Sequence, residues 1–580
     1  MTQSPSRSPS SHLSRKLTYR QVSASAENSG STKPEYPVTV AIDFGTTYSG
    51  CSYKLVNDDE IYDIIRWPKH TGFYAKVPTL LWYRKRTHRL VDWGDGARRH
   101  SLQPNSDGIL LQQFKLWLAD DIKEQDRPPL MPDQTAVEAI ADYLRLFHEF
   151  VTDELRKSCV YTQDQYRYCL TVPAIWSDRA KAAMREAMLA AGILQPDDPP
   201  ERLVLVSEPE AAAMYCERQC NSWDLGVGDK FMIVDAGGGT VDLIVYQIAC
   251  DNTGSDRTLK ELTRGHGGTC GSAYIDSNLR QLLYRKLGDC VNELPACTIE
   301  NVMEEFTEKV KPYFNGASDQ YLQVPAMLKQ AYDGDLIDED GCIRLTAEEL
   351  NEEVYLPVFA QVLQLIEDQL QEAGSDVDAM FLVGGFGSSD YLYGVLQDQF
   401  RSRIHDITMA PRADVAVARG AIYHAENPVH ITSKVLRRTY GLRTQMAFEE
   451  GLDPEDSAVV TSDGVKRCAS RFDVIASKGQ HVHIDSKITR SFWIPYPRHT
   501  EADLYVYDGD EPIPRQITDP GVFKTVDFPI RMPPLEGFAR GDWVDITIDF
   551  CFTLTELTVQ VSIAGKKLEF TTAFEGTEYT

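Results

Sequence analysis

Two segments of the sequence repeat one arrangement of residue types that could bind a polyphosphate. VAIDFGTTYSG covers residues 40–50 and IVDAGGGTVD covers residues 233–242; each is an apolar strand that ends in Asp, followed by a turn of small residues and a second strand. Glycine lets the backbone of such a turn approach phosphate oxygens, and the Asp can hold water on a Mg²⁺ that bridges the phosphates. One such motif is a weak signal, because tight turns with Asp and Gly are common. The pair predicts two facing hairpins that clamp a triphosphate from both sides.

A third glycine motif, FLVGGFGSSDYL, covers residues 381–392, where a strand leads into a helix. It could let a nucleoside lie against bare backbone, although a Gly-Gly pair at a strand end is usually only a turn. It therefore supports a nucleotide site only in combination with the two hairpins.

These motifs need strands that deliver them to a common site and helices that pack beside those strands. Short apolar runs that end in Gly, Pro or acidic residues are typical of buried strands, and five such runs are VTVAID, YRYCLTVP, RLVLVSEP, KFMIVDAGGG and AMFLVGGFG. Between them lie helical patterns, including residues 178–191 with Ser177 as N-cap and Gly192 at the C-terminal end, and a long amphipathic stretch after Thr346. Alternating strands and helices predict an α/β architecture.

The two ends of the chain depart from this pattern. Residues 1–36 are rich in Ser and have almost no large apolar side chains, so we expect a disordered tail. After about residue 427 the helical patterns stop, and segments such as HVHIDSKITRSFWIPY alternate polar and apolar residues between turn residues. The sequence therefore predicts an α/β domain at residues 37–427 and a mostly antiparallel β domain at residues 428–580.

Composition excludes several classes of function. A chain of 580 residues is long enough for several domains, and its formal net charge of −27 would repel a nucleic-acid backbone. No apolar run reaches the roughly 18 residues of a membrane span, and the twelve cysteines follow no disulfide or metal-binding pattern. We expect no nucleic-acid and no membrane partner, and a cytoplasmic location with the nucleus as an alternative.

Five segments in order are similar to the signature segments of the actin, hexokinase and heat-shock ATPase superfamily: AIDFGTTYSG, LTVPAIWSDRAK, LVSEPEAAAMY, MIVDAGGGTVDLIVY and LVGGFGSSDYL. They most resemble the 70-kilodalton heat-shock family, and the resemblance covers about residues 38–425. It implies a duplicated actin-like, ribonuclease H-like ATPase domain that binds ATP or ADP with Mg²⁺. It also implies a chaperone-like protein whose C-terminal β domain binds a polypeptide.

The resemblance implies roles for individual residues. Asp43, Glu208 and Asp235 match the acidic residues that orient magnesium, through water, and the attacking water, while Lys115 looks like the lysine that positions this water. The phosphate loops, nucleoside contacts and ion positions match a larger set: Gly45, Thr46, Thr47, Tyr48, Gly237, Gly238, Gly239, Thr240, Asp242, Gly271, Glu308, Lys311, Gly384, Gly385, Ser388 and Asp414. Two alternatives stay open: Lys115 as a solvated lysine, and Glu308 with Lys311 as a surface pair on one helix.

The resemblance implies weak hydrolysis by direct phosphoryl transfer to water, without a covalent intermediate. Backbone amides of Thr47 and Tyr48, together with Mg²⁺, would stabilise charge on the leaving β-phosphate. Lys115, Glu208 and Asp235 would hold the water in line with the γ-phosphorus.

Several positions depart from the family pattern. Ser388 stands where an arginine usually stacks on adenine, and Lys181 replaces the arginine that follows the interdomain proline, here Pro173. ENPVHITSKVLRRTYGL replaces the leucine-rich acidic linker, and neither a helical lid nor an acidic EEVD tail follows the β domain. This pattern resembles the divergent member-12 branch of the family, known in animals and fungi. We expect looser adenine binding and a nucleotide effect on partner affinity below about 1.4 kcal/mol.

Two other functions fit the same fold. A small-molecule kinase such as a sugar kinase would need an Asp general base beside a hydroxyl-binding cleft, and no segment resembles one. A nucleotide-gated interaction module would bind ATP, hydrolyse it little, and signal by domain closure.

Overall fold

The computed structural model describes residues 36–570, apart from residues 105, 121, 220–224, 251–256, 375, 462–463, 485, 511, 527–528 and 553–556. The serine-rich tail that the sequence predicts as disordered lies outside the described residues except for Tyr36. Within the described ranges, no helix is long and apolar enough to cross a membrane.

The described residues up to 219 form strands and helices that alternate along the chain. Their bounds are β1 (Val38–Phe44), β2 (Tyr48–Leu55), β3 (Ile61–Asp63), β4 (Lys76–Pro78), β5 (Leu80–Arg84), β6 (Leu90–Trp93), α1 (Gly94–Ser101), β7 (Gly108–Gln112), α2 (Ala136–Ser158), β8 (Tyr166–Val172), α3 (Asp178–Ala190), β9 (Leu203–Ser207) and α4 (Glu208–Gln219). A 3₁₀ turn at Phe114–Leu118 follows β7.

The next part of the chain, up to residue 426, continues this alternation. Its elements are β10 (Lys230–Ala236), β11 (Val241–Cys250), β12 (Arg257–Glu261), β13 (His266–Gly268), α5 (Ala273–Leu287), α6 (Cys297–Glu305), β14 (Gln320–Gln323), α7 (Ala326–Ala331), β15 (Cys342–Leu345), α8 (Ala347–Glu349), α9 (Leu356–Ala373), β16 (Val377–Val383), α10 (Gly384–Gly387), α11 (Asp390–Phe400), β17 (Ile404–Met409) and α12 (Ala416–Glu426). Two π-helical turns, Phe306–Val310 and Leu350–Tyr355, extend α6 and join α8 to α9.

The remaining described residues form strands. They are β18 (Ile431–Val435), β19 (Thr439–Ala447), β20 (Ala458–Val460), β21 (Lys466–Ala476), β22 (His481–His483), β23 (Lys487–Pro495), β24 (Thr500–Glu501), β25 (Leu504–Tyr507), β26 (Val522–Val526), β27 (Pro529–Ile530), β28 (Trp543–Phe552), β29 (Leu557–Ile563) and β30 (Lys566–Phe570).

The helix caps read from the sequence are present. The Ser177 hydroxyl accepts a hydrogen bond from the Ala180 N–H at 3.3 Å, and α3 ends shortly before Gly192, whose φ is +73°. The Thr346 hydroxyl accepts from the Glu349 N–H at 3.1 Å, and the Glu349 carboxylate accepts in return from the Thr346 N–H at 3.0 Å. Each cap satisfies an N–H group that the first helical turn leaves without a partner.

Two sheets of the α/β part share one order of pairing. In the first sheet, β1 pairs antiparallel with β2 and parallel with β8, and β9 is parallel to β8. In the second sheet, β10 pairs antiparallel with β11 and parallel with β16, and β17 is parallel to β16. Asp43 is the penultimate residue of β1, and Asp235 is the penultimate residue of β10. The five runs predicted as buried strands are confirmed as β1, β8, β9, β10 and β16.

Two helices join the facing sides of these sheets. Buried side chains of α4, α12, β1 and β10 form one apolar cluster between the sheets. The two helices approach closely at Gly420, where a β-carbon would lie 1.7 Å from the Ala211 carbonyl oxygen. Separate apolar clusters cover the outer side of each sheet, with α2 and α3 on the first and α5, α6, α9 and α11 on the second. The two sheets therefore meet across a short, helix-filled core that leaves a cleft beside the ends of β1 and β10.

The strands after residue 438 confirm the predicted antiparallel β pattern. One sheet has the order β20-β21-β19-β25-β26 and another has the order β23-β28-β29-β30, and every pair in them is antiparallel. In β28 and β29 each second residue is buried, and these residues form an apolar core with Leu442 and Leu504. This alternation is the period-2 pattern that the sequence displays.

Two strands beyond residue 427 belong to the second large sheet instead. β18 pairs parallel with β12, and β22 pairs antiparallel with β18. The Glu261 carboxylate at the end of β12 accepts a hydrogen bond from the Val435 N–H at 2.9 Å. The segment that replaces the leucine-rich acidic linker thus docks on the α/β part through backbone pairing and one buried carboxylate.

Glu261 should give this junction a pH dependence. Burial raises the pKa of its carboxyl from 4.5 to about 7, against the charge of Arg437, while Glu210, Lys434 and Lys181 also face this network. Between about pH 4.5 and 7, Glu261 is therefore protonated in the folded protein and ionised in the unfolded chain. This difference favours the folded state at low pH, and the stability that it contributes is lost as the pH rises through 7.

We expect the free energy of unfolding of the wild type to fall by up to about 3 kcal/mol more than that of Glu261→Gln when the pH is raised from 5 to 7.5. Urea unfolding of both proteins at several pH values measures this difference. A difference that does not change with pH would contradict the prediction.

Candidate nucleotide site

A cavity of about 850 Å³ opens beside the ends of β1 and β10. It brings together nearly all the site residues that the sequence predicted. Those that line it are Asp43, Gly45, Thr46, Thr47, Tyr48, Lys115, Glu208, Asp235, Gly237, Gly238, Gly239, Thr240, Glu308, Lys311, Gly384, Gly385, Ser388 and Asp414. Gly271 does not line the cavity but packs directly behind the second hairpin, where a β-carbon would lie 2.5 Å from the Gly238 carbonyl carbon.

The turns of the two hairpins face each other in this cavity. A β-carbon on Gly238 would lie 2.0 Å from the Thr47 hydroxyl oxygen, and one on Gly239 would lie 2.3 Å from the Thr46 hydroxyl oxygen. Larger residues at these two positions would separate the hairpins. The backbone of each turn can therefore approach a ligand that lies between them, as the paired motifs predicted.

The third glycine motif lies at the end of β16, next to β10. Gly384 has φ +81°, and a β-carbon there would lie 2.4 Å from the Ala236 carbonyl oxygen and 2.8 Å from the Asp235 carboxylate. Only glycine suits both the conformation and the space. Gly385 beside it borders open space, because no atom lies within 4 Å of its β-carbon position. Bare backbone is thus exposed to the cavity beside Asp235.

Asp235 is a buried carboxylate at the floor of the cavity. Its residue is 6% exposed, and it accepts no hydrogen bond from any of the described residues. Burial raises its pKa well above the ordinary value, and the nearby charges of Glu208, Asp242 and Asp43 raise it further. A buried carboxylate in this position favours a cation beside it.

Asp242, which lies opposite Asp235 on the second strand of the second hairpin, connects that hairpin to the loop after β8. Its carboxylate accepts hydrogen bonds from the Ala174 N–H at 2.9 Å and the Ile175 N–H at 3.3 Å. Burial raises the pKa of this carboxyl as well. Asp242 therefore holds the loop that follows Pro173 against the second hairpin.

Lys115 and Glu208 form a buried ion pair. The Lys115 ammonium donates to the Glu208 carboxylate at 2.7 Å and to the Phe44 carbonyl oxygen at 2.7 Å, and Lys115 is only 3% exposed. Burial raises the pKa of Glu208 to about 7, against the charge of Lys115. The alternative of a solvated lysine is therefore wrong: the 3₁₀ turn after β7 directs this side chain into the site.

The other predicted pair separates in the structure. Glu308 accepts from the Arg98 guanidinium at 2.9 Å, whereas the Lys311 ammonium donates to both Asp276 carboxylate oxygens at 2.8 Å and to the Ser272 carbonyl oxygen at 2.9 Å. The alternative of a Glu308–Lys311 surface pair is thus not what the structure has. Both residues border the cavity.

Ser388 and Asp414 lie on the cavity wall beside the third glycine motif. The Ser388 hydroxyl donates to the Gly384 carbonyl oxygen at 3.1 Å, and the Asp414 carboxylate accepts from Arg412 at 3.0 Å. Neither side chain supplies a planar cation to this wall.

The sequence reasoning missed three residues of the site: Lys76, Arg98 and Asp276. Lys76 forms an ion pair with Asp43, and Arg98 reaches across the cavity to Glu308 while it donates to the Tyr48 hydroxyl at 2.5 Å. No local motif surrounds these residues. The alternation of charge around GDGARRH is the only signal that could have drawn attention to Arg98.

A metal ion in this cavity would be held mainly through water molecules and ligand oxygens, not by a cluster of protein side chains. In the part of the chain that the structure describes, no three His, Cys, Asp or Glu side chains are grouped so that they could hold a metal ion directly. Asp43, Glu208 and Asp235 nevertheless provide hard oxygen donors around the floor of the cavity, and Asp235 lacks a hydrogen-bond donor among the described residues. These groups fit a hydrated Mg²⁺ held jointly with phosphate oxygens.

Comparison with known proteins agrees with the family that the motifs resemble. The chain is 27% identical over 587 residues to human Heat shock 70 kDa protein 12A, an alignment that covers 85% of each chain. It is 27% identical over 588 residues to human Heat shock 70 kDa protein 12B, covering 86% of this chain and 84% of that protein.

More distant relatives are also found. The chaperone protein DnaK of Thermosipho africanus is 23% identical over 504 residues, which covers 86% of this chain and 74% of that protein. No protein-family model matches the chain. Over most of its length the chain is therefore similar in sequence to proteins of the 70-kilodalton heat-shock family, including the human 12A and 12B proteins.

Proposed function

We propose that this chain is an ATP-binding, magnesium-dependent ATPase of the 70-kilodalton heat-shock type, with a chaperone-like role. One observation carries the proposal: two glycine hairpins face each other across a cavity whose floor holds Asp235 and the Lys115–Glu208 pair. Its relatives named as heat-shock proteins and chaperones support the same function.

The pairing order of the two large sheets supports a duplicated actin-like domain. Each sheet has a central strand with an antiparallel hairpin partner on one side and two parallel strands on the other. In each, the hairpin turn next to the terminal Asp faces the cavity. A nucleotide bound between such halves would contact both of them, so its binding would favour closure of the cleft.

The chain's own residues would perform most of the catalytic work by position and charge. Backbone N–H groups of the two turns would hold the phosphates. Lys115 and Glu208, fixed against each other and against the Phe44 carbonyl, would position the attacking water, with Asp235 as an acceptor for its proton. Mg²⁺, when bound, would neutralise charge that builds up between the β- and γ-phosphates.

The nucleoside would lie between the third glycine motif and the helical wall that carries Glu308 and Lys311. Gly385 borders open space there, and Ser388 offers only a hydroxyl. Adenine would then be held by contacts with the backbone and with apolar surface. Because position 388 is a serine, it supplies no guanidinium that could stack on the adenine ring.

A polypeptide is the proposed partner of the C-terminal strands. The outer strands of the two antiparallel sheets are β20, β26, β23 and β30, and the side chains of Val460 and Trp493 are largely exposed. An extended segment can add to such an edge through backbone hydrogen bonds. The free thiols of the described cysteines support a reducing compartment such as the cytoplasm.

We expect ATP with Mg²⁺ to raise the melting temperature of the full chain, because a ligand at 100 times its Kd stabilises the binding state by about 2.7 kcal/mol. Thermal unfolding with and without nucleotide measures this shift, and phosphate release with and without sugars separates an ATPase from a kinase.

Gly238→Ala should lose the rise in melting temperature with ATP, because its β-carbon would collide with Thr47.

A matched control is Gly394→Ala, on α11, whose β-carbon would meet no atom within 4 Å. This variant should keep the full response to ATP. An unchanged melting temperature of the wild type at saturating ATP and Mg²⁺ would contradict the proposed function.

A further inference from the structure

Lys76 is a mostly buried cation of the site, and no sequence motif predicted it. It is the first residue of β4, its side chain is 14% exposed, and it lines the cavity beside the first hairpin. Its ammonium forms an ion pair with the Asp43 carboxylate, which also accepts a hydrogen bond from the Thr171 hydroxyl at 3.3 Å. The lysine therefore reaches one of the carboxylates that the sequence assigned to magnesium.

Gly50 on the neighbouring strand leaves space for the Lys76 side chain to reach Asp43. Gly50 on β2 lies opposite Asp43 on β1 and also opposite Lys76 on β4. A β-carbon on Gly50 would lie 2.9 Å from Lys76 Cδ and 3.0 Å from the Ala75 carbonyl oxygen. Glycine at this position thus leaves the space in which the lysine stem passes to Asp43. The Asp43–Lys76 contact is built into the register of three neighbouring strands.

Lys115, the fully buried lysine of the site, has different partners. Lys115 is held by Glu208 and by the Phe44 carbonyl oxygen, so its donors are directed to the floor of the cavity. Lys76 instead forms its ion pair with Asp43, and its positive charge opposes the rise in the pKa of Asp235. The Lys76 ammonium therefore neutralises Asp43 directly.

We propose that Lys76 is a phosphate-contacting residue of this site, and that its ammonium occupies the cation position beside Asp43 and replaces part of the charge that Mg²⁺ would supply. The proposal rests on the proposed nucleotide-binding function. Lysine binds phosphate as a compact point charge with three donors, so it can hold Asp43 and a phosphate oxygen together. Nucleotide binding would then need magnesium less than the acidic surroundings suggest.

The first test compares the affinity for ATP in excess Mg²⁺ with that in EDTA, for the full-length wild type and for Lys76→Met. We expect the ratio of the two Kd values to be at least about tenfold larger in the variant, because the phosphates then meet Asp43 without a neighbouring cation. Lys54→Met is the matched control, since Lys54 is also a partly buried lysine paired with a carboxylate, Glu426, but lies outside the cavity lining. It should leave the ratio unchanged.

The second test uses Mg²⁺ alone, without nucleotide, at constant ionic strength set with choline chloride. We expect Mg²⁺ to raise the melting temperature of Lys76→Met, because the position beside Asp43 is then open to a cation, and to leave the wild type unchanged. Equal Kd ratios in the wild type and Lys76→Met, or the same response of both to Mg²⁺, would overturn the proposal.

A third comparison covers the case in which Lys76→Met does not fold because Asp43 is left unpaired. Asp43→Asn and the double variant Asp43→Asn/Lys76→Met differ only in the lysine and leave no unpaired Asp43 charge. We expect the double variant to bind ATP in EDTA at least about tenfold more weakly, and equal affinities would overturn the proposal. If the wild type binds no ATP even with Mg²⁺, the proposed function fails, and the magnesium titration still decides whether Lys76 fills the cation position.

Discussion

Asp235→Asn is expected to lower ATP hydrolysis by at least about a hundredfold while the protein remains folded and still binds ATP. The asparagine keeps the shape of the side chain but removes a carboxylate from the magnesium and water shell. Because Asp235 is buried near Glu208, Asp242 and Asp43, a neutral residue also relieves repulsion among these charges. The melting temperature of the variant should therefore be equal to or higher than that of the wild type.

Single-turnover phosphate release, with ATP affinity measured in parallel, checks this expectation. Asp378→Asn provides the control, since Asp378 lies exposed on the neighbouring strand β16 and only accepts a hydrogen bond from the Lys230 N–H. Asp43→Asn should instead weaken the dependence on magnesium. Wild-type turnover in Asp235→Asn would remove this residue from the proposed mechanism.

Lys115→Met should destabilise the protein by about 3–5 kcal/mol, because it leaves the Glu208 carboxylate buried without its ion-pair partner. The pKa of Glu208 is already raised by burial, so loss of the lysine adds to the cost of ionising it. Urea unfolding near neutral pH measures this loss. Lys54→Met, which breaks a more exposed pair, should cost less than about 1 kcal/mol.

The double variant Lys115→Met/Glu208→Gln separates stability from hydrolysis. It removes both charges, so most of the lost stability should return. Phosphate release should nevertheless stay at least about a hundredfold below wild type, because neither group can then position the attacking water. Recovery of hydrolysis together with stability would mean that the pair is structural only.

Local patterns in the sequence determined the strands and turns of the site. Asp43 and Asp235 were recognisable because each ends an apolar run before a turn of small residues, and because the two segments form a matching pair. The same reasoning found the caps at Ser177 and Thr346, because a cap is made by residues within one helical turn of each other. The antiparallel pattern after residue 438 was readable for the equivalent reason, namely period-2 burial.

Contacts between distant parts of the chain were decided by the tertiary structure. Lys115 and Glu208 are 93 positions apart, and only the packing of the 3₁₀ turn against the start of α4 brings them to 2.7 Å. A surface pair of Glu308 with Lys311 was one of two alternatives, yet Glu308 binds Arg98, which lies 210 positions earlier. The pairing of β18 with β12 likewise depends on backbone hydrogen bonds, which no pattern of side chains predicts.

The sequence by itself thus determined the family resemblance, the glycine hairpins and the acidic residues beside them, since these depend on residue types within about ten positions of one another. The tertiary structure decided which charges are paired: Lys76 with Asp43, Lys115 with Glu208, and Arg98 with Glu308. A long charged side chain carries no periodic or turn signal, and its partner is set by which strands and helices happen to be neighbours in space. Electrostatic pairing is therefore the property of this site that only the folded chain specifies.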